Sequence, residues 1–415
     1  MPIVPMKTND ITPSGTAFPQ FSNRHPSAVT ALEKITKARC MTLASVPRRA
    51  WLASIVGLAV GLLTAGTALA NNSTWSGAAA NASFNNAGNW NALPVSGDSL
   101  VFTSVNGAGT STLSDNLMTP ATYSIGGITF GSDVNWSTWI VQGNSSNGFT
   151  LTGDIVNNAS TDVLIKEAIV VNGNSAITTT SGRTTNLFGG SLTGTGNLTI
   201  GGAGTLKVGS YFATAPTVSL SGASSVITVQ NGATLRTANT STAAGWSGNT
   251  ANLQIDSGGS VLMWDAGTNL AVGALTGSGA VNGRSTAPLI IGQGDKSGTF
   301  SGTLNDYFGS LNITKTGAGT QTFSAVTFNN SGPITIDGGK LLIQNSTYSS
   351  GFGAKFVANA DLEFNITNTV EFNRVGGSIT GTGNLIKSGS GEFRISGAFS
   401  APQTFSLTGA TRRRQ

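Results

Sequence analysis

The sequence predicts an all-β chain built as a solenoid of stacked coils, and three observations carry that prediction. From residue 71 onward, short runs alternate apolar and small polar residues at period two, the pattern of half-buried strands. Glycine, 56 of 415 residues, punctuates those runs where a chain needs turns. The runs also recur at similar spacing, and a unit that cannot bury its own apolar face must stack on copies of itself. Residues 311–346 show the pattern most plainly. They read as strand at Ile313, turn at Gly317 to Gly319, strand at Gln321 to Phe323, and a polar turn. A strand at Ile334 and Ile336, a turn at Asp337 to Gly339, and a strand from Leu341 to Ile343 follow. With about 20–25 residues per coil, the region supplies one continuous array rather than separate domains.

Charge and composition narrow the function classes. Only 9% of the chain is charged, which does not describe a charged disordered linker. The net +5 misleads, because residues 1–70 alone carry seven Lys and Arg against Asp10 and Glu33. Arg412, Arg413 and Arg414 add three more, so 71–411 holds 12 basic and 15 acidic residues. No basic stripe remains there for nucleic acid. The single histidine, His25, and the single cysteine, Cys40, both precede residue 71. A chain processed beyond them has no disulfide, cysteine-zinc site or Ser-His-Asp triad, and no cofactor is expected.

Residues 1–40 are Pro-rich and unpatterned, with a weak helical stretch over 28–39, and form a disordered leader or lie upstream of the true start at Met41. Residues 41–70 have the order of a signal peptide. Arg48 and Arg49 precede an apolar run, and Ala68-Leu69-Ala70 ends it as a small-x-small cleavage site before Asn71. An uncleaved anchor is the alternative, since the run approaches spanning length. Membrane contact is expected only in transit.

Residues 71–120 follow as an N-terminal cap with the first coils. Trp75, Phe84 and Trp90 either cover the open end of the solenoid or offer a sugar-stacking platform. The repeat region proper spans 121–411, and 412–415 form a basic tail. Within it LTGTGNL at 192–198 returns as ITGTGNL at 379–385, and LTGSGAV at 275–281 is a related copy. A second motif, strand-turn-strand, occupies 227–235 and 253–261 and returns, one residue shorter, at 334–341.

These units, with the opening FNNAGNW and PVSGDSLVF, resemble the autotransporter-associated β-strand repeat of bacterial surface passengers. The resemblance covers roughly residues 75–408. It implies a right-handed parallel β-helix, exported to the outer surface or exterior of a Gram-negative-type bacterium, or periplasmic where no translocator serves it. It also implies a non-catalytic role as adhesin, spacer or matrix component, with surface glycans or other surface proteins as partners. The end ATRRRQ departs from that family, whose chains finish in a lipid-facing β-barrel, and suggests a truncated passenger or another export route.

Some residues invite a chemical reading. Asp361, Glu363 and Glu371 form the densest acidic group, suited either to glycoside cleavage by paired carboxylates or to a solvated rim. Trp136 and Trp139 stand close enough to contact a glycan together, and Trp246 and Trp264 lie in separate coils. Each is stacking surface if exposed and core if buried. Asp256 and Asp337 begin equivalent turns and are expected to satisfy local backbone. GGAGTL at 201–206 lacks the aspartate of a calcium-binding nonapeptide, since Leu206 occupies its place. Strand edges at the two ends suit end-to-end self-association.

Overall fold

The chain winds into a three-sided β-solenoid, seen in a computed structural model. It describes residues 70–79, 82–103, 112–118, 123–134, 139–142, 148–187, 190–209, 217–237, 245–264, 269–283, 287–307, 309–348, 355–367, 370–372, 378–391, 393–395, 398–399 and 404–408. The leader up to residue 69 and the basic tail lie outside these residues. Among the described residues every paired strand runs parallel to its neighbours, and the helical elements are two short 3-10 turns, Ala87–Asn89 and Gln293–Asp295.

One coil shows how the sequence makes the fold. Ile313–Lys315 lies on one face, Thr320–Ser324 on the next and Thr327–Asn329 on the third, before Ile334–Ile336 returns to the first of them. Inward positions Ile313, Gln321, Phe323 and Phe328 are buried, and the alternating Thr and Ser point outward. Repetition of this circuit generates a first face of fifteen strands, from Asn72–Trp75 to Thr404–Leu407, and a second face of eleven, from Thr112–Ser114 to Thr347–Tyr348. The third face comes in two blocks. Five strands run from Ser124–Ile125 to Val218–Leu220, and seven from Leu270–Val272 to Ala398–Phe399.

Stacking in register places like over like. Leu198, Ile227, Leu253 and Leu275 form one interior column, and Ile200, Val229 and Ile255 its neighbour. All seven are buried, each adding roughly 1.5–3 kcal/mol of apolar burial. Phe102 stacks on Phe130 at 5.1 Å between centroids, with the ring planes nearly parallel.

At the N-terminal end Trp75, Phe84 and Trp90 are buried and packed edge to face, Trp75 against Trp90 at 4.9 Å and Phe84 against Trp90 at 5.2 Å. They present no free face to a sugar. Asn91 lies along the open edge of the first strand: its N–H donates to the Thr74 carbonyl and its Oδ1 accepts from the Thr74 amide. The edge is thereby blunted against further pairing.

Three expectations need correction. The polar turn placed between Phe323 and Ile334 contains the strand Thr327–Asn329, hidden because three residues carry a single inward side chain, Phe328. The repeated motifs are not all equivalent in space. LTGTGNL and ITGTGNL run from the third face to the first, whereas LTGSGAV runs from the first to the second. Coil length also varies more than 20–25 residues: Thr320 pairs with Lys340, but Leu198 pairs with Ile227, 29 positions on. The surplus lies in connections between strands.

The first glycine of the repeated motif has a steric cause in each of its three copies. Gly194, Gly277 and Gly381 adopt φ of 131°, 89° and 115°. A Cβ at each would lie 2.0, 2.1 and 2.3 Å from the carbonyl oxygen of Val171, Ile255 and Ala358 in the preceding coil. Thus Gly277→Ala is expected to destabilise by about 1 kcal/mol or more, whereas Gly173→Ala, where nothing lies within 4 Å, stays within about 0.5 kcal/mol, as read from urea unfolding midpoints.

Candidate functional site

Outward polar side chains bond along the solenoid from coil to coil, and Asp361 and Glu363 are among them. Asp361 and Glu363 alternate on Asp361–Asn365 and so share the outer surface of the first face. Asp361 accepts from Asn384 Nδ2 of the next coil at 2.7 Å. Glu363 Oε2 pairs with Lys340 Nζ of the previous coil at 2.9 Å, and Oε1 accepts from Ser388 Oγ of the next at 2.7 Å. Burial pushes the Glu363 carboxyl up, but the bonds from Lys340 and Ser388 and the Lys340 charge outweigh it and hold the group below its ordinary range. A general acid for glycoside cleavage requires the opposite shift. The third member, Glu371, lies in Val370–Phe372, and its side chain is outside the described residues.

Asp256 and Asp337 do begin turns, but each accepts a side-chain amide rather than the local backbone donor expected of them. Gln254 Nε2 reaches Asp256 at 2.8 Å and Asn359 Nδ2 reaches Asp337 at 2.9 Å. Gln254 belongs to the strand that leads into the Asp256 turn, whereas Asn359 reaches Asp337 from the next coil, one strand spacing away.

The second face carries a longer outward column, in register from Lys207 through Arg236, Leu262, Asn282 and Asn305 to Asn329. Asn329 Nδ2 donates to Asn305 Oδ1, and Asn305 Nδ2 to Asn282 Oδ1, both at 3.0 Å; Asn282 Nδ2 donates to Ser260 Oγ at 2.9 Å. Beside this ladder the Arg236 guanidinium lies over the Trp264 ring at 4.1 Å. Tyr307, half-exposed, has its ring 6.0 Å from that of Trp264. Trp264 is therefore surface, whereas Trp246, 3% exposed, is core. Trp136 lies outside the described residues, as does the side chain of Trp139, whose backbone pairs with Val163. Sequence reasoning missed the ladder and the Tyr307 partner. The recurrence of Asn at the end of AVN, TLN and TFN, at intervals of 23 and 24 residues, is the signal that reveals the ladder.

Two lysines point into the interior instead. Lys315 Nζ donates to the carbonyls of Thr316, Gly317 and Gly338, at 2.5, 3.0 and 3.0 Å, tying two successive glycine turns together. Lys387 Nζ donates to the carbonyls of Ser388 and Gly389 in its own turn, both at 2.8 Å. Burial pushes both ammonium groups down from the usual lysine range. Their carbonyl partners make them fasteners of turns.

Among the described residues no group of His, Cys, Asp and Glu is arranged to hold a metal ion, and no helix is long and apolar enough to cross a membrane. Of the residues at the expected cleavage point, Ala68 lies outside the described residues, while Ala70 and Asn71 are exposed at the start of the first strand. The chain matches no protein-family model, no curated protein and no solved structure.

The Lys340–Glu363 pair gives a signed pH dependence. Because the folded carboxyl has the lower pKa, its contribution is present above the unfolded value and is lost as pH falls through the folded one. Both partners are partly exposed, so the effect is at most about 1 kcal/mol. Stability lost between about pH 5 and 3 should be smaller in Lys340→Met than in the parent, as measured by urea unfolding at each pH.

Proposed function

We propose that the protein is an exported, non-catalytic β-solenoid that serves as a surface passenger, as spacer, adhesin or matrix component. The observation that carries this reading is the use made of the outward acids: Asp256, Asp337, Asp361 and Glu363 each bond a side chain of their own or an adjacent coil. Glu363, held below its ordinary carboxyl range by Lys340 and Ser388, is shifted the opposite way from a general acid. A surface of small hydroxyls and amides bonded in ladders suits a protein whose task is extension and contact. Export is supported by the confinement of His25, Cys40 and most of the basic excess to residues 1–70, and by Ala68 and Ala70 ahead of the first strand. The resemblance of the repeats to autotransporter-associated strands supports a place at the bacterial surface.

A carbohydrate-binding role is the second reading, and the group of Arg236, Trp264 and Tyr307 beside the asparagine column favours it. Rings and amides at an open surface are what sugar rings and hydroxyls engage.

One experiment separates these readings. The full chain, expressed in a Gram-negative host, is recovered and presented to a glycan array and to a panel of polysaccharides. The expected outcome is a product outside the cytoplasm that begins at Asn71 and releases no reducing ends. Binding that Trp264→Ala with Tyr307→Ala weakens at least tenfold would select the carbohydrate reading. Reducing ends that disappear with Glu363→Gln would contradict a non-catalytic role.

A further inference from the structure

Asp98 is one of three buried acids among the described residues, with Asp115 and Glu167, and the one whose carboxylate meets the backbone nitrogen of Asn71. Its side chain is 5% exposed, at the turn before the strand Ser99–Phe102. Its Oδ2 accepts from the Val95 amide at 3.0 Å and from Ser73 Oγ at 3.3 Å, and its Oδ1 accepts from the backbone nitrogen of Asn71 at 2.9 Å. These are neutral donors. Among the described residues no cation lies against Asp98. The neighbourhood is negative as well. Tyr123 is pushed up to about 12, by burial first and then by the charges of Asp98 and Asp115. Its hydroxyl meets no partner among the described residues. A buried carboxylate without a counter-charge is costly, and the usual remedy is a cation placed against it.

The atom closest to hand is the nitrogen of Asn71. In the uncut chain it is an uncharged amide. Asn71 also fixes the first strand, since its carbonyl accepts from the Ser99 amide at 2.9 Å.

We propose that Asp98 is the receptor for the amino terminus released when the bond between Ala70 and Asn71 is hydrolysed, so that removal of the leader locks the first coil. The inference rests on the export reading for its cleavage point. Hydrolysis breaks the C–N bond: water supplies oxygen to the Ala70 carbonyl carbon, which leaves as a carboxylate. Both water protons end on the Asn71 nitrogen, which becomes an α-ammonium. A signal-peptidase-class endopeptidase supplies the catalysis, and the exposure of Ala70 and Asn71 leaves the bond outside the packed first coil. The new ammonium already lies at bonding distance from Oδ1, and it gives the buried carboxylate a partner that the precursor lacks. Maturation then strengthens the end of the solenoid where Asn72–Trp75 adds as the first strand.

The test uses the full chain with a site-specific protease sequence in place of residues 65–70, folded first and then either cut before Asn71 or left intact, in the parent and in Asp98→Asn. Hydrogen exchange of residues 73–75 and acylation of the new α-amine near pH 8 are measured in each. Cutting is expected to slow exchange in the parent and not in Asp98→Asn. The α-amine should acylate about tenfold more slowly in the parent than in the variant. Equal acylation rates, or slowing of exchange that survives Asp98→Asn, overturn the role of Asp98. Tm values of the four forms show that each is folded, and Ser73→Ala, which leaves Oδ1 free to pair, should keep the protection on cutting. The terminal mass of the exported protein tests the other half separately. A native terminus other than Asn71 overturns the cleavage point on which the inference rests, whatever the engineered cut shows.

Discussion

The constraint from which the rest of this structure follows is parallel stacking in register. Each strand bonds to the equivalent strand of the coils before and after it, about 4.8 Å away, so every side chain lies over its counterpart. Interior columns must therefore be compatible from coil to coil, which the Leu198–Ile227–Leu253–Leu275 column achieves with aliphatic residues of similar volume. The same constraint acts on the backbone at corners. A carbonyl of one coil occupies the place where the next coil would carry a Cβ, and glycine is the residue that fits at 194, 277 and 381.

Where the stacking lapses, buried polar side chains take over the work of the backbone. Residues 245–248 cross the third face as a turn instead of a strand, between its five-stranded and seven-stranded blocks. There Asn249, fully buried, accepts from the Leu220 amide at 3.2 Å and donates to the Ala271 carbonyl at 2.9 Å, bridging the last strand of one block to the first of the other. On the first face, pairing between Leu275–Gly277 and Gly298–Phe300 shrinks to Gly277 with Phe300. Gln321, one coil further on, accepts from the Leu275 amide at 3.0 Å and returns a bond to its carbonyl at 2.9 Å. Lys315 extends the logic to turns, where three carbonyls converge on one ammonium. An interior amide or ammonium left without such partners would cost more than an aliphatic residue in its place, so these positions are specified as tightly as the glycines.

The sequence made the fold class legible because period-two alternation and glycine spacing report directly on which residues face inward and where the chain turns. The strand Ile334–Ile336 and the turn at Gly339, with φ of 60°, stand where that pattern puts them. One strand of the coil at 313–336 is harder to see. Thr327–Asn329 is too short for alternation to register, and its outward Asn329 resembles a turn residue until its bond to Asn305 is known. The site was less legible than the fold. Asp361 and Glu363 were visible as an acidic pair, but their meaning depends on Asn384, Lys340 and Ser388, which lie more than 20 residues away and meet them only through register. For the same reason SGDS at 96–99 does not reveal the surroundings of Asp98, since the groups on its carboxylate come from residues 71 and 73 as well as from its own turn.

Register is therefore the quantity on which both the architecture and the reading of the surface rest, and disulfide trapping measures it directly. With Cys40→Ser as background, Thr228→Cys is combined with Gln254→Cys, its outward neighbour one coil on, or with Thr276→Cys, two coils on. Adjacent coils place the pair within the Cα separation of about 4.4–6.8 Å that a disulfide spans, and two coils exceed it. The account predicts rapid oxidation of the first pair and none of the second. Equal oxidation of the two pairs, or failure of the first in a folded protein, would contradict stacking in this register.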